Sequence, residues 1–260
     1  MFLLNNNKNS NKIFVIGNGP SLKEDLVHLT PGETFFCVNN FATSQYYKVL
    51  RPKYYIFFDS YFFSENAHED WVVQRNLTFG AINNMTTWNM TIYVPSWVNL
   101  KCVENCIDNK LIKIIRIRVG EFDVGSKFIN KLAYNSGFFG PHQVNVLIYA
   151  IYISIWLKAR EIIVLGADTS FHSDVSVDQC SNELYMNFHH FNDNLSKKLL
   201  MKNPCKTKSW TMFEILDMCA KTFYSHDMLH YFAKSKSCNI YNASSYSLID
   251  AYPRVRLDDE

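Results

Sequence analysis

The chain has 260 residues, of which 48% are hydrophobic and 15% aromatic, and its 26 basic and 24 acidic side chains leave a net charge of +2. That apolar content excludes a disordered chain, and the length fits one domain with a small appendage. The near balance of charge excludes a dedicated nucleic-acid binder. The apolar start, Met1 to Leu4, is too short for the core of an export signal. The longest apolar run, 144–157, is shorter than the roughly 20 residues of a membrane span and reads as a buried helix. These features predict a cytoplasmic protein. Of the seven cysteines only Cys102 and Cys106 are near neighbours, which predicts reduced thiols rather than a zinc site.

In chain order, the first predicted strand is 12–16, ending at Gly17, with Pro20 suited to the first turn of a helix. Further strands are predicted over 34–38, 53–58, 91–94, 112–119, 161–165 and 238–241. Helices are predicted over 41–50, 98–106, 125–133, 142–158, 183–200, 210–222 and 227–236. Continuous apolar strands alternating with helices indicate an α/β fold, a Rossmann-like, mostly parallel sheet with helices on both faces. Residues 1–168 are expected to form the Rossmann-like core, with 211–260 supplying the last helices and strand that complete it. The polar, aromatic stretch 169–210 reads as a small inserted lid.

Ligands of such sheets bind outside the carboxyl ends of the strands. Here those ends carry Gly17-Asn18-Gly19, Asn39-Asn40, Asp59-Ser60, Gly166-Ala167-Asp168 and Asn242. The Gly17-to-Leu22 turn lets backbone approach a ligand and places a helix N-terminus before it. It is neither the dinucleotide fingerprint nor a Walker loop. Asn39, Asn40 and Asp59 suit ribose hydroxyls or a base edge, and equally suit helix capping.

The Gly17-Asn18-Gly19-Pro20-Ser21-Leu22 turn, Asn39 closing the second strand, and the strand ending at Asp59 together resemble the bacterial sialyltransferases of glycosyltransferase family 42. The wider set of bacterial CMP-sugar transferases that build surface glycans such as lipopolysaccharide and O-antigen is similar. The apolar helix before Asp168 and the stretch from Phe223 through His226 to Asn242 add order and spacing to the likeness. The resemblance implies transfer of sialic acid from CMP-sialic acid to a galactose-type acceptor, an oligosaccharide or lipid-linked glycan. It places Gly17, Asn18, Gly19 and Ser21 at CMP, with Asn39 nearby. Asp59 stands where the family commonly has Asn. Ser136-Gly137 would hold the donor carboxylate, with Gly140-Pro141-His142-Gln143 as the rival placement.

The resemblance also implies a general base just before a late helix, which is the position of His226; His190, in the lid stretch, ranks second. Tyr185 and Tyr224 are candidates for the leaving phosphate. Arg116 and Arg118 alternate along one strand and read best as an exposed edge. No Asp-x-Asp motif occurs, so catalysis is expected to need neither metal nor cofactor. CMP-Kdo or CMP-pseudaminic acid would serve the same chemistry as donor. A non-catalytic nucleotide-binding accessory protein and an ATP- and magnesium-dependent pyrophosphokinase-like enzyme are the other classes. The aromatic residues of the lid stretch are expected to close over CMP or stack on a sugar. Peripheral contact with the inner membrane is a further expectation.

Overall fold

The computed structural model describes residues 11–118, 120–188, 196–202 and 204–257. Strand β1 (Lys12–Ile16) leads through the glycine turn into α1 (Leu22–Asp25), a single helical turn. Then follow β2 (Phe35–Val38), α2 (Tyr47–Leu50), β3 (Tyr54–Ile56), α3 (Glu69–Met85), β4 (Met90–Pro95), α4 (Leu100–Glu104) and β5 (Ile112–Ile117). A short excursion holds β6 (Gly120–Glu121), α5 (Lys127–Asn135) and β7 (Phe139–Gly140) before α6 (Val146–Trp156) and β8 (Glu161–Leu165). The insertion contains β9 (Val175–Val177), β10 (Leu184–Phe188), β11 (Ser196–Leu199), β12 (Met201–Lys202) and β13 (Lys208–Ser209). Helix α7 (Met212–Ser235) returns the chain to β14 (Asn239–Asn242).

The central sheet has seven strands in the order β14-β8-β1-β2-β3-β4-β5, all paired in parallel. Its middle strands are buried along their length because helices cover both faces, which is why they read as unbroken apolar runs. One face packs on α6 and α7 through Ile148, Ile151, Leu229 and Phe232. The other packs on the elements that follow β1 to β4, through Leu22, Phe41, Tyr47, Ile82 and Val103. The fold is therefore α/β and Rossmann-like. The strand order reverses between β1 and β8, and a crevice belongs at such a switch point.

Much of the aromatic surplus sits in the core. Tyr47, Tyr55, Tyr134, Tyr149, Phe35, Phe36, Phe41, Phe57 and Phe232 are fully buried. Phe58, two residues past β3, stacks on Tyr149 of α6 with ring centroids 4.6 Å apart.

All seven strands expected from sequence enter the central sheet, but several helices differ. The described residues of 183–200 form strands rather than a helix; β10 pairs antiparallel with β9 and β11, and Leu184 and Met186 alternate into a small apolar cluster. The helices expected over 210–222 and 227–236 are one helix, α7. The apparent gap at 223–226 arose because polar Thr222, Ser225 and His226 face the core. Thr222 settles there by donating its hydroxyl to the Met218 carbonyl one turn back. Helix α3 went unpredicted because Val73 and Leu77 face solvent and Gly80 sits within it, so no apolar stripe marks it.

Candidate active site at the strand ends

The turn after β1 is stitched to the end of β8. Gly17 N–H donates to the Leu165 carbonyl at 2.8 Å and Gly19 N–H to the Gly166 carbonyl at 2.9 Å. A Cβ on Gly17 would lie 2.3 Å from the Gly166 oxygen, and one on Gly19 would lie 1.9 Å from Asp168 Oδ2. Glycine is required here because two turns pack backbone to backbone. Ser21 donates its hydroxyl to Asp168 Oδ2 at 2.6 Å and its N–H to Asp168 Oδ1 at 3.1 Å. Burial pushes the Asp168 carboxyl up, against those hydrogen bonds. The expectation of N–H groups free for an anion needs correction at Ser21, since a carboxylate of this chain already takes its N–H. Asp25, its carboxyl also raised by burial, accepts from Gly166 N–H at 3.0 Å and Ser245 N–H at 2.7 Å.

Asn18 reaches across to β2, donating its amide to the Val38 carbonyl at 3.1 Å. Asn39 follows in the left-handed region, with φ +44°, a conformation Asn tolerates better than most residues. Its amide donates to Asp59 Oδ2 at 2.8 Å, and its oxygen accepts from Phe58 N–H. Three adjacent strand ends, β1, β2 and β3, are thus joined by side chains. Asp59 is open to solvent, yet the protein around it pushes its carboxyl up to about 6. Asn40 turns the other way, donating to the Tyr61 hydroxyl and accepting from Thr78, within the packing between β2 and α3.

A second polar group gathers on the excursion between β5 and α6. The His142 ring lies between Glu121 Oε2, 3.4 Å from Nδ1, and Asp123 Oδ2, 3.3 Å from Nε2. Gln143 N–H donates to Glu121 Oε1 at 2.6 Å. Asp123 Oδ1 accepts from Gly125 N–H, the Asn130 amide and the Tyr224 hydroxyl. Burial acts to raise the Asp123 carboxyl, but these bonds and the one to His142 outweigh it and hold it below its ordinary value. Tyr224 is pushed up by burial and by Asp123 beside it. Tyr149 links this group to the first, because its ring stacks on Phe58 and its hydroxyl donates to the Pro141 carbonyl.

The two placements offered for a donor carboxylate now separate. Ser136-Gly137 is the exposed carboxy-terminal cap of α5, with Gly137 at φ +71° and Ser136 donating back to Ala133. It does not introduce α6; Asn145 does, accepting from Leu147 N–H at 2.9 Å. His142 and Gln143 lie nearer that helix start, but in the company of two carboxylates.

His226 does not precede a helix. It lies within α7, fully buried, with Nδ1 2.9 Å from the Tyr252 hydroxyl and no partner for Nε2 among the described residues. Burial holds its pKa near 3. It is a neutral core imidazole with no exposed atom to meet a substrate hydroxyl in this conformation. His190 lies outside the described residues. Tyr185 sits on β10 in the insertion. Of the lid aromatics, Phe223 and Trp210 pack on the insertion's own apolar cluster, while Phe213 is exposed on α7. Arg116 and Arg118 belong to the edge strand β5 and the residue just beyond it. Sequence reading missed Asp25, Glu121, Asp123 and Asn130. The i, i+2 spacing of Glu121 and Asp123 just after a strand was the available signal.

Among the described residues, no group of three or more His, Cys, Asp or Glu is arranged to hold a metal ion. None of their helices is long and apolar enough to cross a membrane.

The fold is an open, parallel α/β sheet that carries polar side chains at its switch point. No family model and no curated protein matches the chain. Its fold is similar to that of the monofunctional alpha-2,3-sialyltransferase Cst-I from Campylobacter jejuni. The TM-score is 0.51 and the identity 16%, over 99% of this chain and 85% of that one. It is similar also to the sialyltransferase CST-II, solved with a trisaccharide acceptor and CMP. There the TM-score is 0.50 and the identity 17%, over 96% of this chain and 88% of the other. At these identities the likeness is one of fold.

Proposed function

We propose that the chain is a glycosyltransferase that moves sialic acid from CMP-sialic acid to a galactose-type acceptor of a bacterial surface glycan. The observation that carries this reading is the side-chain bridge across three strand ends, Asn18 to β2 and Asn39 to Asp59. It sets amide and carboxylate groups suited to a nucleoside beside the glycine turn. Asp59 would accept a ribose hydroxyl. The fold likeness to two sialyltransferases, one of them holding CMP, supports the same assignment.

The reaction is a single displacement with inversion. The acceptor oxygen attacks the anomeric carbon, the bond from that carbon to the phosphate oxygen breaks, and CMP leaves with the electron pair. The acceptor proton passes to a base, for which His190 is now the leading candidate because His226 is sealed in the core. A monophosphate leaving group can be stabilised by hydroxyl and amide donors without a metal.

The test is release of CMP from CMP-sialic acid, CMP-Kdo and UDP-sugars, with and without EDTA. Release from a CMP-sugar that survives EDTA is expected. CMP-Kdo as the sole donor would move the assignment to that sugar. Binding of CMP without release from either CMP-sugar would identify a non-catalytic nucleotide-binding protein and overturn the proposal. The variant His190→Ala is expected to lower kcat by roughly 100-fold or more while CMP still binds.

A further inference from the structure

Helix α5 is inside out. Its buried side carries Asn130, with no exposed surface, and Tyr134. Its solvent side carries Phe128, Ile129 and Leu132, which are 57%, 47% and 52% exposed. At 100° per residue these three span a single arc of the helix. Asn130 is held inside by bonds to Asp123, Tyr224 and the Val124 N–H, so the orientation is specified rather than accidental. Phe138, 58% exposed, and Val124, 54% exposed, extend the apolar surface at the two ends of the helix. Surfaces of this kind mark interaction sites.

Charge selects the partner. The Arg118 guanidinium lies 4.3 Å from the centre of the Phe138 ring. The Lys131 ammonium lies 5.0 Å from that of Phe128. Neither forms an ion pair with a carboxylate among the described residues. Lys127, on the flank, is paired with Asp227 of α7. The carboxylates of the same excursion, Glu121 and Asp123, are turned to His142, Asn130 and Tyr224. A contact between two copies of this face would bring four cations together while the excursion's carboxylates, Glu121 and Asp123, stay engaged elsewhere. An anionic bilayer instead meets the cations with headgroups and takes the Phe and Leu side chains into its acyl boundary.

We propose that α5 with its flanking Val124 and Phe138 is the surface by which this protein docks on an anionic lipid bilayer. The excursion that bears it leaves the carboxyl end of β5 and returns to the start of α6, so it belongs to the same sheet edge as the strand-end site. Docking there sets that edge beside the membrane. The inference does not rest on the proposed chemistry.

The full chain is sedimented with vesicles of phosphatidylcholine alone or mixed with phosphatidylglycerol, at low and high salt. Binding is expected only to the anionic vesicles and is expected to weaken with salt. The pair Phe128→Ser with Leu132→Ser, and separately Arg118→Glu with Lys131→Glu, should each reduce it on the order of ten-fold. All four positions are exposed or half-buried, so the thermal midpoint serves as the folding control, and the charge-reversal pair stands if the apolar pair fails to fold. Equal binding to neutral vesicles, no binding, or unchanged binding by both variants overturns the proposal. So does a wild-type dimer that Phe128→Ser with Leu132→Ser converts to monomer, because the face would then join two copies.

Discussion

At the level of single residues, a glycine and an acid can be conspicuous in sequence for a reason that lies far along the chain. Gly19 stands out as a place for a ligand to approach, and the atom it makes room for is Oδ2 of Asp168. Ser21 and Asp168 were both legible as strand-end residues; their bond to each other was not, because 147 positions separate them. His226 shows the converse. Its sequence neighbours Tyr224 and Ser225 suggested a loop, and only the packing against Tyr252 reveals a core side chain. Its titration is therefore a property of the fold. A neutral imidazole with a folded pKa near 3 and an unfolded value near 6.5 contributes stability that is present above pH 6.5. That stability is lost as pH falls from about 6.5 towards 3. Urea unfolding should show a loss on the order of 4 kcal/mol over that range. The loss should be clearly smaller in His226→Gln.

Elements were most legible where apolar content is continuous. The strands at 12–16 and 161–165 agree with the structure because β-branched runs buried on both faces leave little alternative. The insertion was harder, since its strands alternate over only a few residues and its apolar cluster is completed from outside by Ile215 and Cys219 of α7. What launches that helix was available in the sequence. Thr211 accepts from Glu214 N–H, and the Glu214 carboxylate accepts from Thr211 N–H, a reciprocal pair at the helix start. Lys202 on β12 also donates to Glu214, tying the insertion to the cap. Thr211→Ala should lower stability by about 1 kcal/mol. It should raise amide exchange first in the opening turn of α7, which hydrogen-exchange mass spectrometry can resolve.

For the molecule as a whole, the sequence announced the class of fold and five polar strand ends, but not which ends meet. Asn18, Asn39 and Asp59 could be placed together only once β1, β2 and β3 were known to be neighbours. The return of β8 and β14 to the other side of β1 brings in Asp25, which no motif singled out. Its carboxylate holds the turn after β8 and the loop after β14 to the first helix, contacts across 141 and 220 positions of chain. Replacing it with Ala would leave the buried Gly166 N–H unpaired and remove the tie to the Ser245 N–H, and equilibrium unfolding should record a loss of about 2 kcal/mol. Helix α7 has a comparable reach in space. Its first turns are part of the insertion's apolar cluster, and its last turns pack on the central sheet beside β14. Insertion and sheet thus share one beam. A rigid swing of the insertion would have to peel Ile215 and Cys219 from their neighbours or drag the beam along.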